Sequence, residues 1–157
     1  MASGRQPQVA ILMGSKSDNS AAEECKKYLD YFNIPFETHI LSAHRNPKET
    51  AEFADTAEEN GFKIIIGIAG MAAHLPGVIA AHTKLPVIGV PMPGSHLNGV
   101  DALYSVVQMP KGVPVATVAI GTAGAGNAAI LCAQILALSE PALKEKLAEF
   151  KKQGCKL

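Results

Sequence analysis

The sequence predicts an α/β domain built on a doubly wound parallel sheet. Two observations carry this expectation. The strand-like segments are continuous apolar runs rather than alternating ones, which is the pattern of strands covered on both faces. Segments with helix start and stop signals separate those runs, so successive strands are joined by helical crossovers. With right-handed crossovers, the winding is flavodoxin-like or Rossmann-like.

Residues 8–13 (QVAILM) form a compact apolar run that ends at Gly14 and read as a buried strand. Ser17 or Asp18 is positioned to cap a helix over residues 19–32. Residues 36–42 (FETHILS) are strand-like. Asn46 then offers an N-cap, with Pro47 at the first helical position and Glu49 at the third. That helix is expected to run to Asn60, with Gly61 stopping it at the C′ position.

Residues 63–69 (KIIIGIA) are the clearest buried strand, dominated by β-branched side chains. A loop over 70–76 leads to a short helix over 77–82. A strand at 86–90, a loop at 91–98 and a helix at 99–108 follow. The expected strand at 113–120, helix at 125–138 and amphipathic helix at 141–152 complete the chain. There is no internal repeat, low-complexity segment or linker, so residues 1–157 read as a single domain, with residues 1–7 as a flexible polar leader.

Composition narrows the function classes. Fourteen basic residues balance 14 acidic ones, leaving no positive excess to hold nucleic acid or an anionic membrane. Residues 1–7 lack the apolar stretch of a signal peptide. The longest apolar stretch, 128–138, is interrupted by Gln134 and is too short to span a bilayer. Cys25, Cys132 and Cys155 are dispersed and form no C-x-x-C pair, as expected of reduced thiols in a cytoplasmic protein. Apolar residues make up 48% of the chain and charged residues only 18%, more apolar area than a small monomer readily covers. Burial between identical subunits resolves this, so a homo-oligomer is expected.

In a doubly wound sheet ligands collect beyond the carboxyl ends of the strands, where the strand order reverses. Three polar loops leave the first three strands at that end: 14–18 (GSKSD), 42–47 (SAHRNP) and 70–76 (GMAAHLP). A 2-1-3-4-5 strand order makes them neighbours. In the first loop, small residues precede a helix N-terminus, a setting suited to phosphate, although capping by Ser17 and Asp18 explains the same residues equally well. The loop lacks the G-x-x-x-x-G-K-[ST] spacing of a P-loop. Asp18 is alternatively an acceptor for ribose hydroxyls.

The second loop carries His44, whose imidazole suits proton transfer near neutrality. Arg45 is the only arginine besides Arg5 of the leader, and a guanidinium at a strand end suits bidentate recognition of phosphate or carboxylate. Taken alone, the loop reads equally as a surface salt bridge beside a helix-start histidine. In the third loop, Gly70 and the alanines permit close backbone approach. There His74 is a candidate ligand contact, though a histidine bonded to a backbone carbonyl is the blander account. Residues 121–127 (GTAGAGN) have their glycines in the wrong order for G-x-G-x-x-G. They are better read as close helix packing, at a subunit interface, than as a phosphate site. The five histidines show no metal-binding spacing and no cysteine joins them, so no zinc site is expected.

Gly14-Ser-Lys-Ser-Asp18, Ser42-Ala-His-Arg45 with Pro47, Ala72-Ala-His-Leu-Pro-Gly77, Gln108-Met-Pro110 and Gly112-Val-Pro-Val-Ala116 occur in one order along the chain. In this the sequence resembles the N5-carboxyaminoimidazole ribonucleotide mutase family, from about Val9 to Phe150. The resemblance implies a flavodoxin-like three-layer α/β/α sandwich and a cytoplasmic, cofactor-free isomerase of purine biosynthesis. It also implies a homo-octamer with active sites at subunit contacts. Carried over by motif, His44 is the catalytic acid/base. Ser15 and Asp18 bind the phosphoribosyl part, and Arg45 binds the phosphate. Ser42, Gly70, His74 and Leu75 line the pocket around the base and the migrating carboxylate.

Two positions depart from the family pattern. Asn19 stands where many members have tryptophan, and Met71 replaces the second glycine of Gly-Gly-Ala-Ala-His. Both bear on affinity more than on reaction type. The Ala-Ala-His-Leu-Pro-Gly loop favours the mutase over the related carboxylases that use carbon dioxide directly. That direct aminoimidazole ribonucleotide carboxylase and a non-enzymatic nucleotide- or flavin-binding module are the rival readings. A phosphoacceptor receiver domain needs an aspartate ending the third strand, which here ends Ile68-Ala69-Gly70.

Overall fold

The computed structural model describes residues 6–157. Of the expected flexible leader, Met1–Arg5 lie outside the described residues. Gln6, within them, donates from its side-chain amide to the Asn60 carbonyl at 3.1 Å.

Five strands form one parallel sheet: β1 (Val9–Met13), β2 (Phe36–Ile40), β3 (Ile64–Gly70), β4 (Val87–Met92) and β5 (Ala116–Thr117). Their order is β2-β1-β3-β4-β5, as expected, and every pairing is parallel. The helices are α1 (Asn19–Tyr31), α2 (Pro47–Thr56), α3 (Leu75–His82), α4 (Val100–Val107), α5 (Thr122–Leu136) and α6 (Pro141–Lys152). The chain therefore folds as the three-layer, flavodoxin-like sandwich.

Alternation along the strands distributes side chains to two cores. Val9, Ile11, Ile64, Ile66, Ile68, Ile88 and Val90 face α1, α5 and α6. Ala10, Leu12, Ile65 and Val87 face α2, α3 and α4. On this second face Gly67 and Gly89 are register partners. A side chain on Gly67 would press on Pro76 of α3, and one on Gly89 would collide with Val106 of α4. The two glycines let those helices lie close to the sheet.

The structure moves several element boundaries. The strand expected over 113–120 shrinks to Ala116–Thr117. Pro91 of β4 turns its carbonyl toward this edge, accepting from Gly121 N–H at 2.9 Å, so its missing N–H is the donor a longer β5 would need. The strand at 36–42 ends at Ile40, while that at 86–90 continues to Met92. Helix α3 begins at Leu75, two residues before the expected start, because Pro76 suits its first turn.

Helix α5 starts at Thr122 and ends at Leu136, so the glycine-rich segment lies inside its first turns rather than before them. A side chain on Gly124 would collide with the Ala119 carbonyl, and Gly126 lies against the Tyr28 ring of α1. The close packing expected here occurs within the chain.

Helix α2 ends at Thr56 rather than Asn60, but Gly61 has φ +88° and occupies the expected C′ position. There Phe62 N–H reaches the Ala57 carbonyl and Gly61 N–H the Glu58 carbonyl, closing a Schellman motif. Asn46 precedes α2 but its side chain makes no capping bond. Among the described residues no helix is long and apolar enough to cross a membrane.

Candidate active site

The loops after β1, β2 and β3 meet at the carboxyl edge of the sheet around a cleft of about 370 Å³. Ser15, Asp18, Ser42, His44, Arg45, Gly70, His74 and Leu75 all line it. Met71, one of the two departures from the family pattern, is on its wall, as are Gly14, Ser17, Ala43, Ala69, Ala72, Pro93 and Gly94, which the sequence did not single out as contacts. Pro93 and Gly94 belong to the loop after β4. Their signal was the strand order itself, since β4 adjoins β3 and its carboxyl-end loop must reach the same edge.

In the first loop, Lys16–Asp18 make a turn of 3-10 helix before α1. Ser15 caps this turn, while Asp18 occupies the expected N-cap position of α1 without a side-chain capping bond to it. The Ser15 hydroxyl accepts from Ser17 N–H at 3.3 Å, and Asp18 Oδ2 accepts from Ser15 N–H at 3.2 Å. This reciprocal pair locks the loop in shape. Burial raises the Asp18 carboxyl above its usual value of 3.8, while the bonds from Ser15 N–H and the Ser17 hydroxyl oppose that shift. Asp18 is only 7% exposed.

The second loop folds on Ser42, whose carbonyl accepts from Asn46 N–H at 2.8 Å and whose hydroxyl accepts from Arg45 N–H at 3.3 Å. His44 and Arg45 are thereby held at an exposed tip. Among the described residues Arg45 has no salt-bridge partner, so the surface ion pair considered from sequence does not form.

The third loop turns sharply. Ala73 N–H reaches the Met71 carbonyl at 2.9 Å and His74 N–H the Ala72 carbonyl at 2.7 Å. Met71 has φ +55°, the left-handed region that favours glycine and costs other residues roughly 1–2 kcal/mol. This is the position at which the sequence departs from the family's glycine, and Met71 projects into the cleft wall at 63% exposure. Asn19, the other departure, is exposed on the first turn of α1 and does not line the cleft. Gly70 allows the close approach expected of it, a Cβ there lying 3.3 Å from the Met92 carbonyl oxygen.

One contact joins the second and third loops. His44 Nε2 lies 2.7 Å from His74 Nδ1, with ring centroids 4.8 Å apart and planes at 81°. The partner of His74 is therefore an imidazole rather than the backbone carbonyl considered from sequence. Chemically, the cleft offers two adjoining proton-exchanging rings, an unpaired guanidinium beside them, and a serine–aspartate loop ahead of a helix. Among the described residues there is no group of three His, Cys, Asp or Glu placed to hold a metal ion.

Comparison with known proteins gives a consistent picture. The family model described as AIR carboxylase matches residues 8–156. N5-carboxyaminoimidazole ribonucleotide mutase of Haemophilus influenzae is 55% identical over 144 residues, covering 92% of this chain and 88% of that protein. The mutase of Escherichia coli K12 is 51% identical, covering 97% of this chain and 90% of the relative. That of Bacillus subtilis is 54% identical, with coverages of 92% and 89%. Among solved structures, Treponema denticola PurE superposes with a TM-score of 0.84 at 30% identity, covering 95% of this chain and 92% of that one.

Proposed function

The chain belongs to the AIR carboxylase family, and from that premise we propose that it interconverts N5-carboxyaminoimidazole ribonucleotide and 4-carboxyaminoimidazole ribonucleotide in purine biosynthesis. It is a mutase, an isomerase that moves a carboxylate within one substrate. The observation that carries the reading is the His44 imidazole at the cleft where three strand-end loops meet, beside the unpaired Arg45.

Each group has work in this scheme. Arg45 holds the substrate phosphate through its planar fork. Ser15 and Asp18 take the phosphoribosyl part, the first through its capped loop and the second as acceptor for sugar hydroxyls. Ser42, Gly70, His74 and Leu75 surround the base and the migrating carboxylate.

In the first half-reaction the carbamate C–N bond breaks and its electron pair stays on nitrogen. That nitrogen takes a proton from protonated His44 as carbon dioxide departs. In the second, ring carbon C4 attacks the retained carbon dioxide, and neutral His44 removes the C4 proton to restore the aromatic ring. The proton delivered equals the proton recovered, so the cycle closes without ATP, metal or cofactor. Holding carbon dioxide beside C4 replaces a bimolecular encounter and is worth several kcal/mol, up to roughly 7–11 in well-oriented cases.

The protein acts as a cytoplasmic homo-octamer with sites near subunit contacts. Leu97, Val100, Tyr104 and Val107 support self-association, since they leave apolar surface along α4 and the loop before it exposed by 43–63%. A light-scattering mass equal to one chain excludes it.

The test is an ultraviolet assay with the carbamate substrate, free of ATP and added bicarbonate. Wild-type protein turns over, whereas His44→Asn folds, binds nucleotide and loses roughly 10²–10⁴-fold in rate. Near-normal turnover by His44→Asn removes the mechanism. The rival direct carboxylase is separated by label: a mutase retains the substrate's own labelled carboxylate, whereas a carboxylase equilibrates it with bicarbonate.

A further inference from the structure

The third loop carries a side chain that its own turn does not call for. Ala73 N–H bonds to the Met71 carbonyl at 2.9 Å and His74 N–H to that of Ala72 at 2.7 Å, a tight reversal with residue 71 at φ +55°. Glycine takes this conformation freely, whereas a residue with a Cβ is strained in it. Met71 bears that strain and also leaves an apolar side chain 63% exposed. Neither helps the chain to fold. Strain kept against local preference points to the site it serves.

The surroundings show what this side chain can do. Gly70 is the register partner of Met92, so residues 71 and 93 leave adjacent strands next to one another. The wall beyond is bare, since Gly94 has no side chain and a Cβ added to it would meet nothing within 4 Å. Ala43, Ala69 and Ala72 line the cleft with single methyl groups, and Leu75 is only 2% exposed. Among the described residues lining the cleft, Met71 is therefore the one long apolar side chain that stands free of the core. Its unbranched thioether has the torsional freedom to fold over an occupant of irregular shape.

In the reaction above, the nucleotide is anchored by its phosphate, but the freed carbon dioxide is neutral and offers Arg45 no charge to hold. Once the carbamate C–N bond has broken, C4 attacks the carbon dioxide or it diffuses away. Escape leaves aminoimidazole ribonucleotide in the cleft. Outside, water adds to the carbon dioxide to give bicarbonate and a proton, and His44, which gave its proton to nitrogen, takes another from solvent. An apolar cover suits a small, neutral, weakly hydrated molecule and keeps water from it.

We propose that Met71 covers the cleft over the freed carbon dioxide and so determines how much of it reaches C4. This rests on the mutase reading above and deepens it. His44 moves the proton, Arg45 holds the nucleotide, and Met71 retains the migrating group.

The experiment follows the fate of the carboxylate with the full chain. Carbamate substrate labelled with ¹³C in its carboxylate is turned over in unlabelled bicarbonate. Labelled 4-carboxyaminoimidazole ribonucleotide and aminoimidazole ribonucleotide are quantified, and spontaneous loss without enzyme is subtracted. In wild type nearly all the label reaches C4. Met71→Gly fits the turn without strain, and its ratio of aminoimidazole ribonucleotide to labelled product rises several-fold, toward the roughly tenfold that one lost apolar contact is worth. Met71→Gln, equally long but polar, admits water and shows the same rise. Met71→Leu keeps the apolar bulk and stays near wild type.

A ratio in Met71→Gly unchanged from wild type overturns the proposal, even if kcat falls. So does a leak in Met71→Leu as large as that in Met71→Gly. Should Met71→Gly not fold, Met71→Gln decides in the same way. Wild type that forms no labelled product overturns the activity itself, whereas equal transfer of label by wild type and Met71→Gly overturns only the role of Met71.

Discussion

Adding one methyl group at Gly67 tests how the sheet positions the cleft. A Cβ there would lie 3.2 Å from both Cα and Cγ of Pro76 and 3.3 Å from Cδ1 of Ile79. Rotation of Ile79 relieves one of these contacts, but Pro76 Cα is backbone and yields only if α3 lifts by a few tenths of an ångström. Overpacking of this kind costs about 1–3 kcal/mol. At about 2–4 °C per kcal/mol for a chain of this size, the melting temperature of Gly67→Ala falls by about 2–12 °C.

His74 immediately precedes α3, so the same displacement loosens its 2.7 Å contact with His44 and lowers turnover several-fold. Gly77→Ala, on α3 itself, is the control. Its new methyl meets only Met109, at 3.2 Å from Sδ, and that flexible side chain gives way. The gain in helix propensity, about 1 kcal/mol, leaves Gly77→Ala neutral or more stable. Thermal melts and the ultraviolet assay read both effects. A Gly67→Ala protein that melts and turns over like wild type refutes the reasoning, as does a Gly77→Ala protein less stable than Gly67→Ala.

Arg45→Lys keeps the charge but loses the bidentate fork, so KM rises with little change in kcat; an unchanged KM argues against the phosphate assignment. Asp18 has a folded-state pKa above 3.8, so between 3.8 and that value the native state binds more protons than the unfolded state, and stability falls as pH rises. The penalty persists at neutrality. Asp18→Asn therefore melts above wild type at pH about 7, with an advantage that shrinks as pH falls through the folded-state pKa toward 3.8 and is gone below it, and binds substrate more weakly; a lower neutral-pH melting temperature contradicts the sign. Burial pushes the Cys25 thiol up to about 12 and holds that of Cys132 well above its usual value, while Cys155 is exposed. A disulfide reagent at neutral pH is expected to label one thiol per native chain and all three after unfolding, and rapid labelling of three in the native state counters the burial argument.

Local chemistry by itself determined the number of strands and their succession along the chain, because apolar runs declare β1, β3 and β4 as buried strands wherever they lie, whereas β2 is a half-exposed edge. It also determined which three loops carry polar side chains at the carboxyl edge, since the direction of each strand follows from its crossover. Boundaries were less legible. The proline that ends the β5 ladder lies in β4, and the glycines of α5 are tolerated because Ala119 and Tyr28 occupy the space beside them. Those reasons are contacts between segments distant in the chain.

The cleft divides in the same way. Types and loops of its candidate residues could be read from motifs, but the fourth wall at Pro93 and Gly94 and the pairing of two imidazoles could not. His44 and His74 are 30 residues apart on loops with no sequence signal for mutual contact. Their separation depends on how closely α3 lies against β3, and a glycine in the sheet decides that distance. Periodicity and capping act over a few residues and select elements. Distances of a few ångströms between loops are set only when the packed faces of those elements meet.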